Sequence, residues 1–143
     1  MKRKFLLIII ISAAQLLLAC SSQQTKVEPD ISEIEGKLGI EILSLRLTSA
    51  NYMLDFRYRI KDVEKATPFL ERKLKPHVIV ERSGRKLLIP VSGKLGPLRT
   101  SPKFVKVNKN YFVFFANPGR DVKSGDKVTV VIGEAKLEHL VVE

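Results

Sequence analysis

The chain has 143 residues, one cysteine, two histidines and a net charge of +10. That length holds one domain, and a single thiol excludes a disulfide within it, so hydrophobic packing must hold the fold. With only Cys20, His77 and His139, the clustered thiols and imidazoles of a zinc site are excluded as well.

Met1-Lys2-Arg3-Lys4 is a short basic start, and residues 5–19 are almost wholly apolar, broken only by Ser12 and Gln15. A basic start, an apolar centre and a small residue before a cut make a secretory signal peptide. The run is too short and too broken for a transmembrane helix, which needs about 20 apolar residues. It ends in Leu17-Leu18-Ala19-Cys20. An aliphatic residue, a tolerant position, a small residue and then cysteine resembles the lipobox of the bacterial lipoproteins. The resemblance covers only this N-terminal stretch. It implies that Cys20 carries a thioether-linked diacylglyceryl group, becomes the new N-terminus and is N-acylated, with palmitate-length chains. One myristoyl-length chain binds a membrane only marginally, at roughly 0.8 kcal/mol per buried methylene, so two or three chains make a durable anchor. Ser21 after the cysteine implies, for a Gram-negative source, sorting to the outer membrane with the domain facing the periplasm.

Loss of Lys2, Arg3 and Lys4 with residues 1–19 lowers the charge from +10 to about +7. A basic chain ordinarily points to nucleic acid, but an exported one does not meet it. The partners expected are the membrane through the N-terminal lipid, an envelope protein, and an anionic lipid or polymer.

Residues 20–38 read as a lipidated flexible tether. Its serines, glutamines, Pro29 and Gly36 cannot bury enough apolar surface to order a chain, and it reaches roughly 20–25 Å as a coil. The domain is expected over 39–143. Residues 40–48 alternate apolar and polar with a change of parity between Ile42 and Leu43, which predicts a strand with a bulge. Residues 52–61 alternate most clearly, with Tyr52, Leu54, Phe56, Tyr58 and Ile60 on one side and Met53, Asp55, Arg57, Arg59 and Lys61 on the other. Period two with aromatics on one face predicts a half-buried strand. Asp62 caps a short helical turn that Pro68 ends.

Residues 77–81 and 86–91 read as a hairpin around 82–85, with Val78 and Val80 inward and Pro90 marking an edge. Residues 92–110 read as a long loop carrying Lys94, Arg99, Lys103, Lys106 and Lys109 and no acid. The nearly unbroken apolar run 111–116 predicts a central strand covered on both faces. Asn117-Pro118-Gly119-Arg120 fits a type II turn. Residues 127–132 and 135–142 predict two more strands, divided near Gly133.

These elements make an all-β fold. The expectation is an immunoglobulin-like antiparallel sandwich of about seven strands without the inter-sheet disulfide, with a small β-barrel as the alternative. The domain is similar at the level of the fold to small bacterial lipoproteins with immunoglobulin-like domains, a likeness that carries no functional residues across.

No catalytic set is found. There is no Gly-x-Ser-x-Gly, no phosphate loop, and no pair of carboxylates placed for glycoside cleavage. His77 and Glu81 share a strand face but lie about 13 Å apart by strand rise. No cofactor or metal is expected. The expected function is a non-catalytic, membrane-anchored interaction module of the cell envelope, or a binder of an anionic envelope ligand. For the second reading the candidate patch is Arg57, Arg59 and Lys61 on one strand face, with Arg99 and Lys103 from the acid-free loop. The plainer reading of those charges is that they protect strand edges from aggregation.

Overall fold

The period-two run around Phe56 becomes the middle of a three-stranded sheet in the computed structural model, which describes residues 31–100 and 104–143. In chain order the elements are α1 (Ile31–Leu38), β1 (Ile40–Thr48), β2 (Met53–Ile60), α2 (Val63–Ala66), β3 (His77–Val80) and β4 (Lys86–Leu88). Then come β5 (Val91–Ser92), β6 (Gly96–Pro97), β7 (Asn110–Ala116), β8 (Lys127–Ile132) and β9 (Ala135–Val141). The first sheet has the order β1-β2-β7, the second β4-β3-β8-β9, and β5 pairs with β6 alone. All pairings are antiparallel.

The result is an all-β sandwich, not a closed barrel. Its seven longer strands follow the immunoglobulin arrangement, except that the fourth pairs with the third instead of joining the first sheet. The core lies between the sheets. Leu54, Phe56, Tyr58 and Ile60 of β2 and Tyr111, Val113 and Phe115 of β7 face Val78 and Val80 of β3 and Val128, Val130 and Ile132 of β8. The Tyr58 ring stacks on Phe56 at 5.4 Å and on Tyr111 at 5.9 Å, and meets Phe69 edge-on at 5.5 Å. These aromatic contacts fill the centre of the core.

Several expectations hold in detail. The register of β1 on β2 shifts between Ile42 and Ser44, where the parity changes. Asp62 caps α2, its Oδ1 accepting the Glu64 and Lys65 amides at 3.0 and 3.2 Å. Val78 and Val80 point inward, and β4 is an edge strand. Gly119 has φ 79 and the Arg120 amide bonds the Asn117 carbonyl at 3.0 Å, which is the type II turn.

Others are corrected. Residues 31–38, read as the end of the tether, form α1. Its Ile34 and Leu38 pack on the core, a Glu33–Lys37 pair spans one turn at 2.6 Å, and Gly39 at φ 63 ends the helix. The fold therefore begins by residue 31, not 39. The run 111–116 is covered on one face only: Phe112 is exposed, and Phe112 and Phe114 pack side by side in the outer layer. Tyr52 lies before β2 and is half exposed, with the Arg120 guanidinium over its ring. The 92–110 loop is not free of structure. It contains β6, and its residues 98–100 run along the open edge of β7, with Phe114 N–H donating to the Leu98 carbonyl and Thr100 N–H to that of Phe112, both at 2.9 Å. The expected signal peptide, Cys20 and the expected tether up to residue 30 lie outside the described residues.

Candidate functional site

The first sheet turns three of the expected cations outward, but it also supplies their counter-ions. Arg57 Nε donates to Asp55 Oδ2 at 2.8 Å, with Arg46 at 3.8 Å from the same oxygen. Asp55 is buried despite its outward position, and its Oδ1 has no hydrogen-bond partner. Arg59 reaches Glu41 at 3.3 Å and Asn110 at 3.0 Å, and Lys61 reaches Glu41 at 3.3 Å. The two pairs on Glu41 are exposed and contribute roughly 0–1 kcal/mol each to stability. Their consequence here is that an incoming anion must compete with carboxylates already in place.

Arg99 is on the other side of the sheet. It bridges Val113, an inward position, whereas Arg57 pairs with the outward Phe112. Its guanidinium donates to the carbonyls of Leu70, Glu71 and Leu74 at 3.2, 2.9 and 3.0 Å. Burial lowers the Arg99 pKa from its ordinary value, with the nearby Tyr58 phenol acting the other way. Burial likewise pushes the Tyr58 phenol up. Arg99 thus ties the crossing segment after α2 to the strand-like segment beside β7. Lys103 lies outside the described residues. The expected patch is therefore divided: Arg57, Arg59 and Lys61 share one outer face, and Arg99 is a clamp beneath another surface.

That other surface is a groove of about 860 Å³, within the range of roughly 300–1,000 Å³ typical of small-ligand sites. One wall is residues 72–76, held by Arg99 through the Leu74 carbonyl and, just before the wall, those of Leu70 and Glu71. The other is the chain from Leu88 to Pro97, where Pro90 leaves the β4 edge and the short β5–β6 pair folds back on itself. Its lining is aliphatic, with Leu74, Leu88, Ile89, Val91 and Leu95 among Pro76 and Pro97. Leu88, Val91 and Leu95 are 63%, 73% and 78% exposed, so three large apolar side chains face water in one concavity. The remaining lining residues are Arg72, Lys73, Lys75 and Arg99, and no acid is among them. Lys73 pairs with Glu71 just outside the groove at 2.7 Å.

Sequence reading missed this site. Leu88 and Val91 look like strand residues, and period two does not say which face another layer covers. The available signal was a cation-rich stretch, Arg72-Lys73-Leu74-Lys75, and apolar residues set between Pro90, Gly93, Gly96 and Pro97 where no strand could bury them.

A second cluster has the look of chemistry but a structural use. Glu81 accepts the Thr129 hydroxyl at 3.0 Å and the His139 amide at 2.9 Å, and its other oxygen lies 3.0 Å from His139 Nδ1. His139 has φ 59, so the carboxylate satisfies an amide in an irregular stretch of β9. The hydroxyl points at the carboxylate and not at the imidazole, which is not the arrangement that activates a nucleophile. Among the described residues there is no group of three or more side chains able to hold a metal ion, and no helix long and apolar enough to cross a membrane. Comparison with known proteins finds no matching family model, no matching curated sequence and no matching solved structure.

Proposed function

We propose that the chain is a lipid-anchored protein of the bacterial cell envelope whose domain works by binding and not by catalysis. The observation that carries this is Leu17-Leu18-Ala19-Cys20 at the end of an apolar run that follows a basic start. Acyl chains on Cys20 hold the domain beside a bilayer, and Ser21 favours the outer membrane with the domain in the periplasm. The domain then presents surfaces to an envelope partner. Cys20→Ala tests the anchor. The parent protein should fractionate with membranes and carry the mass of a lipid modification, and the variant should lose both. Equal membrane association of the two, with no lipid mass on the parent, overturns the reading.

The groove favours a more specific second reading, a binder of an anionic envelope ligand. What supports it is the coincidence of exposed aliphatic side chains and an acid-free cationic lining. Cations concentrated beside an apolar surface attract an anion carried on an apolar body, and salt weakens that attraction.

A further inference from the structure

We infer that the groove between 72–76 and 88–97 holds one acyl chain of an anionic lipid, with the acidic headgroup at Arg72, Lys73 and Lys75. The inference deepens the proposed binding role and rests on the envelope reading only for the source of the lipid. Three features select this occupant. The first is shape and lining: a concavity of about 860 Å³ in which Leu88, Val91 and Leu95 stand exposed, with no aromatic side chain to stack on a sugar ring or a base.

The second feature is charge. Every ionisable side chain of the lining is a cation. Lys73 is already paired with Glu71, but that pair is open to solvent, and a phosphate can replace the carboxylate at little cost.

The third is what the walls lack. A peptide adding to a strand edge needs open backbone donors and acceptors. Pro76, Pro90 and Pro97 have no N–H. The carbonyls of Leu70, Glu71 and Leu74 are occupied by Arg99, and that of Pro90 by the Leu98 amide at 3.1 Å. These positions cannot serve a pairing strand, whereas the lining as a whole offers aliphatic surface and positive charge, the complement of a fatty chain with an anionic head.

The test uses the mature chain, residues 20–143 with Cys20→Ala, so that no acyl group of its own can enter the groove. The core runs from Ile34 to Val142, so removal of the leader leaves it whole. Binding of monomeric lysophosphatidylglycerol, lysophosphatidylcholine, glycerol phosphate and an acidic amphipathic peptide is measured by calorimetry and native mass spectrometry. The expected result is one lysophosphatidylglycerol per chain, bound at least tenfold more tightly than lysophosphatidylcholine, with no binding of glycerol phosphate. Val91→Asp with Leu95→Asp should weaken it at least tenfold without moving the thermal midpoint, because both positions are exposed. Lys73→Gln with Lys75→Gln should remove most of the preference for the anionic head and keep the tail bound. Absence of one-to-one binding, equal affinity for the two lysolipids, equal affinity for glycerol phosphate, or tighter binding of the peptide each overturns the inference. Because the protein tested is unacylated, none of these results bears on whether Cys20 is the anchor.

Discussion

Glu81 shows how a single carboxylate can make a fold sensitive to acid. Burial alone would raise its pKa, but the side-chain and amide hydrogen bonds from His139 and the Thr129 hydroxyl outweigh it, and the net shift is downward. A carboxylate whose folded pKa lies below its unfolded value, about 4.3 for Glu, favours the folded state above that value and loses the contribution as pH falls through the folded pKa. Asp126 titrates in the same direction, because the Lys123 amide and the Arg82 guanidinium outweigh its desolvation. Comparing parent with Glu81→Gln isolates the first residue from the second. The variant loses the ionised acceptor of three contacts and is expected to be less stable at pH 7 by about 1 kcal/mol. The difference should shrink as pH falls from about 4.3 through the lowered folded pKa, below which the parent carboxyl is itself protonated. Urea midpoints at pH 7 and pH 3 check this, and a difference that stays constant with pH defeats the assignment.

At the scale of the element, α1 depends on the residue that ends it. Gly39 adopts φ 63, and a Cβ there would sit 2.7 Å from the Asp62 carbonyl and 2.9 Å from the Lys65 Cβ. The same turn brings the Gly39 carbonyl to the Lys61 and Asp62 amides at 2.9 and 3.0 Å, which joins the helix end to the β2 exit. Gly39→Ala is therefore expected to cost about 3 kcal/mol, from the left-handed backbone and the steric shift together. Gly36→Ala is the control. It lies inside α1 with open space around it and should instead stabilise by up to about 1 kcal/mol. Chemical denaturation of the two variants gives opposite signs if this account of the turn is right.

The same element marks the limit of what the sequence made legible. The strand at Phe56, the bulge after Ile42, the Asp62 cap and the Pro118-Gly119 turn could be read because each depends on neighbours in sequence. An eight-residue helix is too short to hold itself together in water. It is fixed by the packing of Ile34 and Leu38 and by Glu35, which accepts the Ile42 amide at 2.5 Å, and none of these is visible in composition. The cation excess was legible as well, but not its division. Asp55 neutralises Arg57 from two residues away, and Arg99 is claimed by carbonyls 25 to 29 residues earlier. The groove was hidden because its apolar residues have the composition of core and the exposure of surface.

For the whole molecule, the question is where the domain starts, and α1 and the C-terminus answer it together. β1 would be an open edge inviting association with other strands. It is closed at one end by Glu35 on Ile42. Further along, Glu143 donates its amide to the Leu45 carbonyl at 2.9 Å and accepts the Leu47 amide at 3.2 Å. Glu35 of α1 and Glu143 therefore cover the same strand, and removing either exposes part of it. Residues 31–143 are expected to unfold in one cooperative transition at the midpoint of residues 20–143. Residues 39–143 lose the cover on Ile42 and the partial burial of Ile34 and Leu38, which amounts to about 1–3 kcal/mol. For a domain near 100 residues this lowers the midpoint by roughly 4–8 °C per kcal/mol. The shorter fragment should also self-associate at concentrations where the longer one stays monomeric, because the Ile42 amide on its β1 edge is then uncovered. Scanning calorimetry and sedimentation of the two fragments decide the matter. Equal midpoints and equal sedimentation would place the start of the fold at residue 39 and return α1 to the tether.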